Sequence, residues 1–297
     1  MKRLFKFSIV FLLLTLAFSS FGKELKILTI GNSFTWSLKT HFVKLVKSVE
    51  GCDVKINYAN FGGCELSRHW KYIQQEEADP SKKIYFNRKK KLRDALSETD
   101  WDVVTIQQAS HESWKPETFA DANNIVSFIK KYCPKAKIYI QQTWAYRADA
   151  PRLKAWGFSQ QEMYEKVADA YAKTAKALNL KQIPSGYAVE LARKELPTKF
   201  KPYTKEELAS FYPPDVPKQA GDVVGSHFWS KNKKGEMSLH SDTIHLNNYG
   251  EYLQACVWFA YLFDKSAEEV KYVPKNMSIS TAKMFQKVAD KAVKEYK

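Results

Sequence analysis

Residues 25–35 read LKILTIGNSFT, an apolar run rich in β-branched residues that stops at Gly31-Asn32-Ser33. The run reads as a buried strand, and Gly31 breaks it into a sharp turn that hands the chain to a helix. In open α/β sheets ligands bind beyond the carboxyl ends of the strands, so Ser33 stands where chemistry is usually done. Serine is also a favoured helix N-cap. The stretch alone leaves both roles open.

Working outward, short apolar runs recur at 54–58, 103–106 and 138–140, with a weaker one around 180–183. Between them, 38–49, 92–96 with its flanks, 119–132 and 163–178 carry apolar residues at three- and four-residue spacing. Strand and helix in alternation imply a parallel sheet covered on both faces. Right-handed crossovers then predict an α/β fold: a flavodoxin-like, three-layer α/β/α sandwich of about five parallel strands. One domain is expected over residues 23–297, closed by a helix over 253–262. The rhythm breaks at about 197–237, where Pro197, Pro202, Pro213, Pro214 and Pro217 stand among six aromatic residues. Proline prevents regular elements, and a long irregular segment within a compact domain is usually functional. This Pro- and aromatic-rich excursion is expected either to wall a pocket or to tack itself to the surface.

Composition narrows the class. Of 297 residues 44% are apolar and 14% aromatic, enough for a sizeable core. Lys2, Arg3 and Lys6 precede an apolar segment from Phe7 to Phe18 and small residues up to Gly22, which reads as a signal peptide over 1–22. Export to the periplasm or beyond the cell is expected, with no stable membrane insertion after cleavage. The net charge is +15, three of it on that leader. The remaining lysines are spread out, and Lys283, Lys287, Lys291 and Lys294 recur at helical spacing opposite Phe285 and Val288, as on a solvated helix face. No nucleic-acid partner is inferred. Cys52, Cys64, Cys133 and Cys256 match no metal-site spacing. Structural thiols or a single bridge are expected, with no metal and no cofactor.

A serine hydroxyl needs a base within hydrogen-bond reach, and that base needs an orienting partner. Asp242 and His245 offer both, because a three-residue spacing in a tight turn or first helical turn puts the two side chains on one side. Acyl transfer also requires donors for the developing oxyanion. After the second run, Gly62 and Gly63 let the backbone approach closely. After the third, Gln107 and Gln108 carry amide donors. His69, Trp144, Tyr146 and, in the excursion, Trp229 are candidate pocket residues, together with Asn32 beside the serine.

Gly31-Asn32-Ser33-Phe34, the glycine pair in Asn60-Phe61-Gly62-Gly63, and Asp242-Thr243-Ile244-His245-Leu246 resemble the first, second and last blocks of the SGNH (GDSL-like) hydrolases, in the same order along the chain. More narrowly, GNSF, GGCELSRHW, WDVVTIQQAS, QQTWAYR and DTIHLNNYGEYLQA resemble the DUF4886-type branch found in bacterial secreted proteins. The resemblance implies Ser33 as nucleophile, His245 as base, Asp242 as orienter, and the Ser33 and Gly63 backbone N–H groups as oxyanion donors. It departs at the third block, where the family's Gly-x-Asn-Asp is replaced by Gln107-Gln108-Ala109-Ser110. A glutamine amide has the same donor chemistry, so Gln107 is expected to complete the oxyanion hole, with Gln108 the alternative. The expected activity is hydrolysis of a small acyl ester, acetyl above all, on a carbohydrate through an acyl-serine, the substrate being a small molecule or a polysaccharide. A lipid esterase or thioesterase on the same triad, or a non-catalytic carbohydrate-binding protein, are the alternatives.

Overall fold

The computed structural model describes residues 24–218 and 220–297, so the expected signal peptide lies outside the described residues. The elements run β1 (Leu25–Gly31), α1 (Ser33–Trp36), α2 (Leu38–Lys47), β2 (Val54–Asn60), α3 (Leu66–Ala78), α4 (Tyr85–Arg88), α5 (Leu92–Ser97) and β3 (Val103–Ile106). They continue with α6 (Ala122–Tyr132), β4 (Lys137–Gln141), α7 (Pro151–Trp156), α8 (Gln160–Leu178), β5 (Lys181–Ile183), α9 (Ser185–Glu195) and α10 (Lys205–Ala209). The chain ends with β6 (Val224–Lys231), β7 (Met237–Leu246), α11 (Asn248–Phe263) and α12 (Ile279–Tyr296).

Strands β1 to β5 form one parallel sheet in the order β2-β1-β3-β4-β5, the expected flavodoxin-like arrangement. The central strand β3 is buried at every position, as an apolar run covered on both faces must be. The register aligns Gly31 with Asn60, and Ile30 with Ile106. The loops that follow β1, β2 and β3 therefore leave the sheet side by side at its carboxyl edge.

Helix α11 packs against α2, α9 and α12. Its residues from Tyr252 to Tyr261 are all buried, which explains a sequence that is apolar all round rather than striped. On α12 the four lysines at helical spacing are exposed while Phe285 and Val288 are buried. All four cysteines are free thiols, and burial pushes Cys64 up to about 12. No helix among the described residues is long and apolar enough to cross a membrane.

The excursion is more regular than its prolines suggest. They stop at Pro217, and α10 is already formed among them on a capping box from Thr204 and Glu207. Beyond them β6 and β7 make an antiparallel two-stranded ribbon. Of the two geometries expected for Asp242 and His245, the tight turn holds and the helical turn does not: the pair sits at the end of a strand.

Candidate active site

Asn32, not Ser33, caps the helix: its Oδ1 accepts from the Phe34 N–H at 3.1 Å. Ser33 is the first residue of α1, so its N–H belongs to the first-turn amides that a helix leaves unpaired. Its hydroxyl lies 2.9 Å from His245 Nε2. His245 Nδ1 lies 2.7 Å from Asp242 Oδ2. The other carboxylate oxygen, Oδ1, accepts from the backbone N–H groups of Ile244 and His245 at 2.8 and 2.9 Å. This Asx-type turn bends the end of β7 so that the imidazole faces its own aspartate.

Burial pushes the Asp242 carboxyl up, but the hydrogen bonds from the His245 side chain and from those two backbone N–H groups outweigh it and hold the group at about 2. A carboxylate ionised throughout the neutral range can fix the imidazole tautomer, with Nδ1 protonated and Nε2 free to accept the serine proton. Phe34 meets the edge of the His245 ring at 5.5 Å, and Trp144 stacks on the back of Phe34 at 4.2 Å. Trp144 Nε1 donates to the Ile244 carbonyl at 2.9 Å. The ring behind the histidine is therefore tied to the backbone that carries it.

After β2, Gly63 has φ +56, a backbone that side chains other than glycine's rarely adopt. Gly62 and Gly63 are both exposed, with open space at their Cα positions.

The glutamines do not take the expected part. Gln107 is buried, and its amide nitrogen donates to Asn32 Oδ1 at 2.7 Å and to the Gln108 carbonyl at 3.3 Å, which uses both hydrogens. Its Oε1 accepts from Gln141 Nε2 at 2.9 Å and from the Thr35 hydroxyl. Gln108 is also buried: its Nε2 donates to the Thr118 carbonyl at 2.7 Å, and its Oε1 accepts from the Leu66 and Ala109 N–H groups. Buried polar groups must pair, and these pair beneath the loop instead of reaching over it. The expectation that Gln107 or Gln108 completes an oxyanion hole is corrected. They brace Asn32 and the loops after β2 and β3.

Four of the expected pocket residues, Asn32, His69, Trp144 and Tyr146, are corrected in the same sense, because all four are buried. Asn32 is buried, with Nδ2 donating to the carbonyls of Cys64 and Gln108. His69 is fully buried, its Nε2 on the Gly31 carbonyl at 2.9 Å and its Nδ1 on Tyr85 Oη at 3.0 Å. Desolvation lowers its pKa to about 4, so it is a neutral strut under β1. Tyr146 is buried, its hydroxyl on Ser110 Oγ at 2.9 Å. Trp229 donates to the Asp215 carbonyl at 2.7 Å and so tacks the excursion to the ribbon.

One residue was missed. Arg147 is fully buried, and its guanidinium reaches Asp149 at 2.6 and 2.8 Å and Ser241 Oγ at 2.9 Å, with Phe200 stacked on it at 4.8 Å. Its backbone N–H donates to the Thr243 carbonyl at 2.9 Å. Gly225, with φ +92, lets the ribbon close over it, since a Cβ there would stand 2.5 Å from Arg147 Nη1 and 2.8 Å from the Asp242 carbonyl. Arg147 thus grips β7 on either side of Asp242. The available signal was an arginine six residues past the end of β4 in the otherwise uncharged QQTWAYRA, two residues before Asp149.

A model of the family described as "Domain of unknown function (DUF4886)" matches residues 26–204. Among solved structures the chain is similar to a DUF4886 family protein from Bacteroides uniformis, at 25% identity over 91% of this chain and 95% of that one, with a TM-score of 0.67. It is also similar to a candidate SGNH hydrolase from Slackia heliotrinireducens, at 20% identity over 78% of this chain and 96% of that one, with a TM-score of 0.49. No curated protein matches the chain.

Proposed function

The chain belongs to the DUF4886 family, and on the chemistry of its own site we propose that it is a serine esterase of the SGNH type, exported by its leader, which removes acetyl groups from a carbohydrate. The observation that carries this reading is the continuous chain from Ser33 Oγ through the imidazole to the Asp242 carboxylate, 2.9 and 2.7 Å long.

His245 Nε2 takes the hydroxyl proton as Ser33 Oγ attacks the ester carbonyl, and the Asp242 carboxylate stabilises the imidazolium. The oxyanion is held by the backbone N–H groups of Ser33 and Gly63, with no glutamine amide. His245 returns the proton to the leaving sugar oxygen as the C–O bond breaks, which leaves an acyl-serine. Water, deprotonated by His245, then attacks that ester, and acetate and the free hydroxyl enzyme result.

A small acyl group is supported by what surrounds the serine. Phe34 packs on the His245 ring and Trp144 on Phe34, Tyr146 is buried like them, and Gly62 and Gly63 are exposed. A long acyl chain needs a deep apolar pocket; a bulky alcohol needs open ground. Ser33→Ala should abolish hydrolysis of p-nitrophenyl acetate and labelling by a fluorophosphonate while circular dichroism stays unchanged. Retained turnover in that variant would refute Ser33 as nucleophile, and a rate that climbs with acyl length would replace the acetyl reading with a lipid one.

A further inference from the structure

The ribbon that carries the histidine has two unlike faces. Side chains alternate along a strand, and directly paired residues share a face. His227 with Ser241 and Trp229 with Leu239 therefore form one face, and Ser226 with Asp242, Phe228 with His240 and Ser230 with Ser238 form the other. The first face is tied to other segments: His227 lies against Tyr203 at 5.7 Å, Trp229 is bonded to Asp215, and Ser241 to Arg147. The second is open. Phe228 is 47% exposed, and its ring stacks on the exposed His240 imidazole at 5.6 Å with 22° between the planes. Ser238 Oγ meets His240 Nε2 at 2.7 Å and fixes that ring.

We propose that this open face is a subsite for a sugar ring, with Phe228 and His240 as its floor; the proposal rests on the esterase reading above and names the glycan as the part of the substrate that is bound beside the scissile ester. The subsite is continuous with the reacting groups, because the Phe228–His240 pair follows the Ser226–Asp242 pair by two residues, about 7 Å along the ribbon. Its chemistry is mixed in the way a sugar requires. A flat apolar ring accepts the C–H face of a pyranose, and the hydroxyls of Ser226, Ser230 and Ser238 on the same face meet the sugar's own hydroxyls. A lipid surface would call for uninterrupted apolar area, and here aromatic rings alternate with serines. Among the described residues the Phe228 ring meets only the His240 ring, and His240 only Phe228 and Ser238.

The test separates binding from hydrolysis. In the Ser33→Ala protein, titration calorimetry with an unacetylated oligosaccharide measures the subsite alone, and Phe228→Ala should weaken that binding about tenfold, with Phe228→Tyr restoring most of it. Absence of binding, or binding that Phe228→Ala leaves untouched, overturns the subsite even if the esterase stands. In the protein with Ser33 intact, Phe228→Ala and His240→Ala should raise KM for an acetylated oligosaccharide about tenfold relative to KM for p-nitrophenyl acetate. An equal effect on both substrates would make the pair merely structural. A selective loss on micellar long-chain esters would make the face a lipid surface. Loss of all hydrolysis by the unaltered protein, with oligosaccharide binding retained, would refute the esterase and leave the subsite.

Discussion

Ser33 and His245 meet across 2.9 Å, yet they come from unlike surroundings. Ser33 leaves a strand with parallel neighbours on both sides, and the groups that brace its turn, Asn32, Gln107, Gln108 and His69, are all buried and hydrogen-bonded. His245 rides on a two-stranded ribbon with one open face, its own side chain 37% exposed. The ribbon's tie to the domain beside Asp242 runs through Arg147. The serine half is thus over-determined by the sheet edge, and the base half depends on a few specific contacts. The family-model match covers Ser33, Gly63 and Arg147 and ends at residue 204, before the ribbon begins.

The sharpest way to break the base half is Asp242→Asn. Its amide would present a donor to Nδ1 and favour the wrong tautomer, and kcat should fall by about 10⁴-fold, the scale of such a change in a serine triad. A pH series of unfolding gives a second readout. The folded Asp242 pKa, about 2, is held below the ordinary 3.8, so its stabilisation is fully present above that ordinary value and is lost as the pH falls towards 2. Asp242→Asn should remove that part of the acid slope; an unaltered kcat would mean that Asp242 does not orient the base.

Arg147→Lys tests the clamp with less violence, since the charge stays and the bidentate geometry goes. We expect kcat to drop about 10- to 100-fold through misplacement of the ribbon, with KM within twofold. A change in KM alone would show that Arg147 does not act through Asp242. Gln107→Ala addresses the other half and should act mainly on stability, by about 1–3 kcal/mol for the partners it leaves unpaired, read as a lowered Tm. Activity should fall less than tenfold. A loss of 10²–10³ in kcat at full stability would return Gln107 to the oxyanion hole.

The sheet half was legible from local pattern alone. The 25–35 stretch declares its strand, its glycine break and its serine, and five apolar runs between helical periods leave one topology. The ribbon was not legible, because VGSHFWSK carries polar residues on both faces and so lacks the alternation of a half-buried strand. Asp242 and His245 were visible by spacing, and a tight turn was one of the two geometries expected for them; that the turn closes a strand was not visible. The glutamines failed for another reason. Sequence reveals that an amide stands at a strand end, but which partner takes it depends on Asn32, Thr35 and Gln141, which come from two other segments.

The open glycine loop beside Ser33 bears on what becomes of the acyl-enzyme. Gly62 and Gly63 are exposed, with nothing within 4 Å of a Cβ built on either, and on the esterase reading proposed above this loop is the side from which water enters. Water then outnumbers every competing alcohol at the step that decides the product. On that reading, such access favours hydrolysis of the acyl group over its transfer to a second sugar.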